Sequence, residues 1–235
     1  MEQMSIERQE TEKVNTLLRQ TNQQLDEVNE SLEIKVSKRT EALFRLSNHD
    51  QLTGLLNRNG FIKQMSPLLD NAKALNGTFA LLFIDLDGFK QVNDSLGHKV
   101  GDVILAETVQ RLRKYCEKDH LGRWGGDEFV AVIPYVNVDT AKTIAQAMRS
   151  GINVPVVANQ NQITLDATIG IAMFPEHGSS SMDLIQHADL TMYDQKRKQR
   201  GSIGVFNQTL FNQVKREQYL CEHLRYAIDN DELCV

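Results

Sequence analysis

Between positions 14 and 46 the seam residues, mostly apolar, recur at intervals of four and three: Val14, Leu18, Thr21, Leu25, Val28, Leu32, Val36, Arg39, Leu43 and Leu46. That alternation is the heptad signature of a coiled-coil seam, and no Gly or Pro interrupts it. Two successive steps of four, Val28 to Leu32 to Val36, form a stutter that locally unwinds a supercoil. At 1.5 Å per residue the seam is roughly 48 Å long. The pattern predicts a parallel dimeric coiled coil over 1–47 that sets two copies of the following domain side by side. The alternatives are a single amphipathic helix on the domain's own surface, or a frayed linker in which polar Thr21 and Arg39 weaken the seam.

Beyond it the period changes. His49 to Gly60 (HDQLTGLLNRNG) is a turn-rich stretch that caps a helix through Phe61, Ile62, Met65, Leu68, Leu69 and Ala72, with Pro67 either kinking it or marking a late start. Leu81 to Asp87 (LLFIDLD) reads as a buried strand whose end carries Asp85 and Asp87, two apart and therefore on one face. Gly88 to Leu96 opens a helix whose free N–H groups at Gly88 and Phe89, with the charge of Lys90, suit an anionic phosphate. Gly97 to Asp102 precedes a further helix with apolar Val103, Ile104, Leu105, Val109 and Leu112, for which Asp102 also suits an ordinary N-cap.

The stretch that organises the rest is Arg123 to Phe129, RWGGDEF. A short strand, two glycines and a second strand describe a hairpin with a Gly-Gly turn. Asp127 and Glu128 then sit at its mouth; neighbours on a strand face opposite ways, which gives them separate roles. Asp139 to Ser150 follows as a helix, Ile163 to Phe174 as a central strand, and Ser181 to Arg200 as a helix ending in KRKQR, where Lys196 and Arg200 share one face by their spacing of four. The order predicts an α/β (α+β) fold, helices on a mainly antiparallel sheet. A last helix is expected from Phe206 to Val235, with Leu220, Leu224, Tyr226 and Ile228 as its apolar face.

The chain of 235 residues is 41% hydrophobic and 24% charged, which suits one globular domain with extra helical material. Its net charge of −5 argues against a nucleic-acid-binding surface. The longest apolar run, Phe79 to Ile84, is too short to cross a bilayer. Cys116, Cys221 and Cys234 have no metal or disulfide spacing, so a reducing cytoplasm is the expected compartment.

Taken together, DQLTGLLNR, the Asp85 strand end and RWGGDEF resemble the GGDEF-domain diguanylate cyclases over about Ser47 to Gly201. The resemblance implies a sheet related to the nucleotidyl cyclase and polymerase palm, and condensation of two GTP to cyclic di-GMP with release of pyrophosphate. It implies Mg²⁺ or Mn²⁺ on Asp85, the Leu86 carbonyl and Asp127, with Glu128 activating the attacking 3′-hydroxyl and a second metal as the competing account. Asn93 and Asp102 fall on the guanine edge, where an amide and a carboxylate match its acceptors and donors, and Leu52 touches the base. Gly88, Phe89, Lys90, Lys196 and Arg200 fall on the phosphates. The clamp departs from the family's AKxxGR pattern, with Gln195 for Ala, Gln199 for Gly and Gly201 for Asn. The family's RxxD product-inhibition site is replaced by Cys116, Glu117, Lys118 and Asp119, and cysteine lacks arginine's charged fork. The expected boundaries are a signalling helix at 1–47, a GGDEF domain at 48–203, and a linker at 204–235. The linker resembles the lead into an EAL phosphodiesterase domain, which implies a longer tandem protein with an upstream sensor and possible membrane attachment. The competing expectation is a GTP-binding domain without turnover that regulates such a phosphodiesterase; a dimerising relay built on the coiled coil is a third.

Overall fold

The computed structural model describes residues 2–209, 211 and 212. They fall into two compact units meeting at Ser47 and Asn48. The first is one uninterrupted helix, α1 (Glu2–Asn48), about 70 Å long by its rise per residue. Its seam residues Leu18, Leu25, Leu32, Val36, Leu43 and Leu46 are all exposed. No helix among the described residues is long and apolar enough to cross a membrane.

The second unit is a five-stranded sheet with helices on both faces. Its elements are α2 (Arg58–Ala74), β1 (Phe79–Asp87), α3 (Phe89–Leu96), α4 (His98–Leu112), β2 (Leu121–Gly125), β3 (Glu128–Pro134), α5 (Val138–Ile152), β4 (Val156–Ala158), β5 (Asn161–Ile163), β6 (Asp166–Phe174), α6 (Ser181–Lys198) and β7 (Ile203–Val205). The strand order is β2-β3-β1-β6-β7. Every pair is antiparallel except β6 with β7.

β1 lies at the centre and is buried along its whole length. Ala80, Leu82, Ile84 and Leu86 join the layer made with α4 and α5, whereas Phe79, Leu81 and Phe83 join the layer made with α2 and α6. Full burial of each of the Leu, Ile and Phe side chains contributes about 1.5–3 kcal/mol. Asp85 continues the odd-numbered series, so the alternation that builds the second core layer also aims this carboxylate toward α6. The helix approaches closely: a Cβ on Gly170 of β6 would collide with the α6 backbone at Ala188 and Met192. Ser180 and Asp183 form a capping box that starts α6.

Several expected boundaries move. α2 begins at Arg58 and runs through Pro67, because Asn57 caps it by accepting from the Gly60 N–H. α4 begins at His98, not after Asp102, so Asp102 is not its N-cap but an exposed residue inside it; Val103 is also exposed. The strand expected from Ile163 splits into β5 and β6. Arg149 binds both oxygens of Asp166 at 2.7 Å, and Asp166 accepts from the Ala167 N–H, which fixes β6 to start there. After the break β7 carries the sheet across position 204, and the chain turns helical again at Gln208 and Thr209. The expected face of Leu220, Leu224, Tyr226 and Ile228 lies outside the described residues.

Candidate active site at the end of the central strand

The hairpin turn is made by Gly126 and Asp127, not by the two glycines. Gly125 already pairs with Glu128, and a bulge at Trp124 absorbs the extra residue. Gly126, at φ +43°, takes the left-handed position that excludes most side chains. Arg123 holds the turn: its Nε and Nη2 donate to the Gly126 carbonyl at 3.0 and 2.7 Å. The same guanidinium donates through Nη1 to Asp50 at 3.1 and 3.2 Å, and Asp50 also accepts from the N–H and hydroxyl of Thr53. The DQLTGLLNR loop and the RWGGDEF hairpin are thus one hydrogen-bonded unit.

Register then brings the carboxylates together. Asp85 lies opposite Glu128 in the β1–β3 ladder, and the Leu86 N–H donates to the Asp127 carbonyl at 3.3 Å. The N–H and C=O of a strand residue point the same way, so the Leu86 carbonyl is directed toward Asp127; among the described residues no return bond from the Asp127 N–H occupies it. Lys196 of α6 donates to Asp85 Oδ1 at 2.6 Å.

Burial and like charge shape the proton affinities. Desolvation raises Asp85, assisted by Asp127 and Asp87, while Lys196 opposes it. Burial, then Asp189, Asp85 and Asp127, raise Glu128. Asp189 of α6 is exposed by its overall surface, yet desolvation of its carboxyl, followed by Asp85, raises it too. Asp189 is a member of the cluster that the sequence reading missed; its place about two turns after the α6 start, next to the Ala188 that packs on Gly170, is visible only when α6 is docked.

Asp87, although two residues from Asp85, has a different part. Its Oδ2 accepts from the Thr168 hydroxyl at 2.7 Å and the Gly201 N–H at 2.9 Å, tying β1 to the chain leaving α6. That tie helps explain why α6 stops at Lys198 and Gln199 turns extended. Arg200 therefore lies beyond the helix and shares no helical face with Lys196, contrary to the expected spacing. It is exposed, like Lys90, Asp102 and Leu52.

Gly88, at φ +83°, is the N-cap of α3. Phe89 is buried in the α4 layer. Asn93 is half-buried, and its Oδ1 faces Gly101 with no hydrogen-bond partner. An orphaned amide oxygen beside α4 fits a site waiting for a polar edge. A cleft of about 540 Å³ lies near the hairpin, lined by residues including Asp50, Arg58, Arg123, Trp124 and Gly126; the acidic cluster is not part of its wall. Arg58 stacks over Trp124 at 4.7 Å in this cleft.

Hard oxygen donors from Asp85, Asp127 and the Leu86 carbonyl fit a magnesium-like cation, which prefers carboxylates with waters and phosphate completing its shell. Among the described residues no three His, Cys, Asp or Glu side chains form a ready metal cage. At the opposite end of β2, the Cys116 thiol turns inward to the Leu112 carbonyl at 3.6 Å, and burial pushes it up to about 12.

A mixed sheet with a GGDEF hairpin against an aspartate-tipped central strand defines a class. The family profile described as "Diguanylate cyclase, GGDEF domain" matches residues 47–202, and the chain belongs to that family. It is 32% identical over 205 residues to the bifunctional diguanylate cyclase/cyclic di-GMP phosphodiesterase MucR of Pseudomonas aeruginosa, covering 87% of this chain and 30% of that protein. It is 35% identical over 198 residues to the cyclic di-GMP phosphodiesterase PdeR of Escherichia coli, covering 83% of this chain and 29% of that protein. The chain thus spans less than a third of either relative. A solved structure comprising only the GGDEF domain of TpbB (YfiN) from P. aeruginosa matches with 34% identity and a TM-score of 0.68, over 71% of this chain and 99% of that one.

Proposed function

We propose that the domain is a diguanylate cyclase that joins two GTP molecules into cyclic di-GMP and two pyrophosphates across a homodimer. One observation carries the reading: Asp85, Leu86, Asp127 and Glu128 meet where β1 and the hairpin end, with Asp85 opposite Glu128 and Leu86 bonded to Asp127. Asp85, Asp127 and the Leu86 carbonyl would hold Mg²⁺ or Mn²⁺, which when bound polarises the phosphates and offsets charge on the leaving pyrophosphate. Glu128, with its raised proton affinity, accepts the proton of the 3′-hydroxyl that attacks the α-phosphorus of the facing GTP. Asn93 and Asp102 address the guanine edge and Leu52 its face. The α3 N-terminus at Gly88, Phe89 and Lys90 receives phosphate, assisted by Lys196 and Arg200.

Each domain holds one GTP, so product requires two domains face to face. The exposed α1 seam supplies the proximity when it pairs with a second copy. The inward, protonated Cys116 gives product no charged fork to bind, which favours weak feedback inhibition. MucR and PdeR are both named as cyclic di-GMP phosphodiesterases and are more than three times the length matched here, which supports a longer protein in which a phosphodiesterase domain accompanies this one.

A second reading, GTP binding without turnover in control of a phosphodiesterase, is favoured by the exit of Arg200 from the α6 face. Incubating the protein with GTP and Mg²⁺ over a range of protein concentrations separates the two. Cyclic dinucleotide formed with second-order dependence on dilute protein supports the cyclase; GTP bound but unchanged at every concentration supports the regulator.

A further inference from the structure

Lys196 and Asp85 carry an inference that rests on the cyclase reading and adds a control to it. Asp85 is the most enclosed carboxylate of the cluster, with 8% of its side chain exposed, and its direct cationic partner is the Lys196 ammonium at 2.6 Å. The lysine is freer, at 31% exposure, and it sits on the last turns of α6 with a flexible four-carbon stem. A buried carboxylate beside Asp87, Asp127, Glu128 and Asp189 needs a positive charge. Lys196 provides it, on the same carboxylate that a divalent cation would use.

We propose that Lys196 is a stand-in cation that keeps the metal site closed until nucleotide arrives. A divalent cation bound to Asp85 would lie close to the ammonium that Oδ1 holds at 2.6 Å, and the two positive charges repel strongly in so enclosed a site. A bare divalent cation must expel Lys196 and leave it among no new anions, whereas a cation delivered with a triphosphate supplies that anion in the same step. Metal and nucleotide therefore enter as one unit, and free metal binds poorly. Gly170 keeps this exchange local: with α6 seated backbone-to-sheet, the lysine moves by its own rotamers and the helix stays in place.

Mn²⁺ binding without nucleotide, followed by the electron paramagnetic resonance signal of free Mn²⁺, tests the proposal. K196Q, which keeps length and polarity but loses charge, should bind bare Mn²⁺ at least about tenfold more tightly than the unaltered protein. K196R, which keeps the charge, should stay within about twofold of it. Equal Mn²⁺ affinity in K196Q and the unaltered protein would overturn the proposal. The unaltered protein gives a second measurement that needs no variant: saturating Mn²⁺ alone should speed reductive methylation of Lys196, read by mass spectrometry, and an unchanged rate with Mn²⁺ bound at the site overturns it equally. The parent reading fails separately, by absence of Mg²⁺-dependent binding of a non-hydrolysable GTP analogue to the unaltered protein.

Discussion

The ion-paired corners of the domain and the end of its central strand use the same side chains to opposite effect. At the corners, Asp50 meets Arg123 and Asp166 meets Arg149. The hydrogen bonds of Thr53 and Arg123 outweigh the burial of Asp50, and Arg149 lowers Asp166 from its ordinary value. At the strand end, burial and neighbouring carboxylates raise Asp85, Glu128 and Asp189, and Lys196 opposes the rise only at Asp85 and Glu128. Satisfied carboxylates fix loops; crowded ones hold unspent affinity for a cation or a proton. Clusters of the second kind mark functional sites more often than the first.

The contrast should break most visibly at Glu128. E128Q is expected to lower cyclic dinucleotide formation at least about a hundredfold, the scale of losing a general base, with circular dichroism and unfolding midpoint unchanged. Full activity in that variant removes Glu128 from the mechanism.

On the structural side, R123A should lower unfolding free energy by about 2 kcal/mol, the scale of charged hydrogen bonds lost from a part-buried pair. Denaturant titration reads this; a change within error would mean that the turn and the Asp50 loop hold together without the guanidinium.

A smaller effect of opposite sign is expected at the crowded end. D189N should stabilise the domain by about half a kcal/mol at neutral pH, kept small because water reaches Asp189. The pH dependence separates the two regions. Asp50 and Asp166 are lowered on folding, so their contribution is present above the ordinary value of 3.8 and is lost as pH falls through their folded values. For Asp189 the folded value is raised, so its cost is absent below 3.8 and grows as pH rises through the folded value. The gain from D189N should accordingly vanish on acidification toward 3.8; a gain that persists there would assign it to packing.

The smallest effect is expected at the far end of β2. D119A should leave cyclic di-GMP binding and inhibition unchanged in calorimetry, because Cys116 offers no partner fork. Submicromolar binding that disappears in D119A would restore a working feedback site.

Much of this was legible in the sequence where short-range pattern decides the outcome. The alternation of LLFIDLD placed Asp85 at a strand end, and RWGGDEF announced a hairpin with acids at its mouth. What escaped depends on tertiary partners. Asp189 looks like any polar residue of α6 until the close seat on Gly170 turns it toward Asp85. The end of α6 before Arg200 reflects the Gly201 N–H reaching Asp87, a contact 114 positions away in sequence. The start of β6 at Asp166 reflects Arg149, and the Trp124 bulge moved the turn by one residue. Local propensity carries no record of these long-range bonds.

β1 is clasped on both sides, by β3 and by β6, through a continuous ladder. A shift of its pairing by a single position would swap inside for outside along the whole strand. Ile84 and Leu86 would then confront Lys196, while Asp85 and Asp87 would be driven into the greasy floor beneath α4. The two flanking ladders therefore act as a lock on chemistry as well as on shape: a chain that misaligns here loses its fold before it can display a misplaced acid.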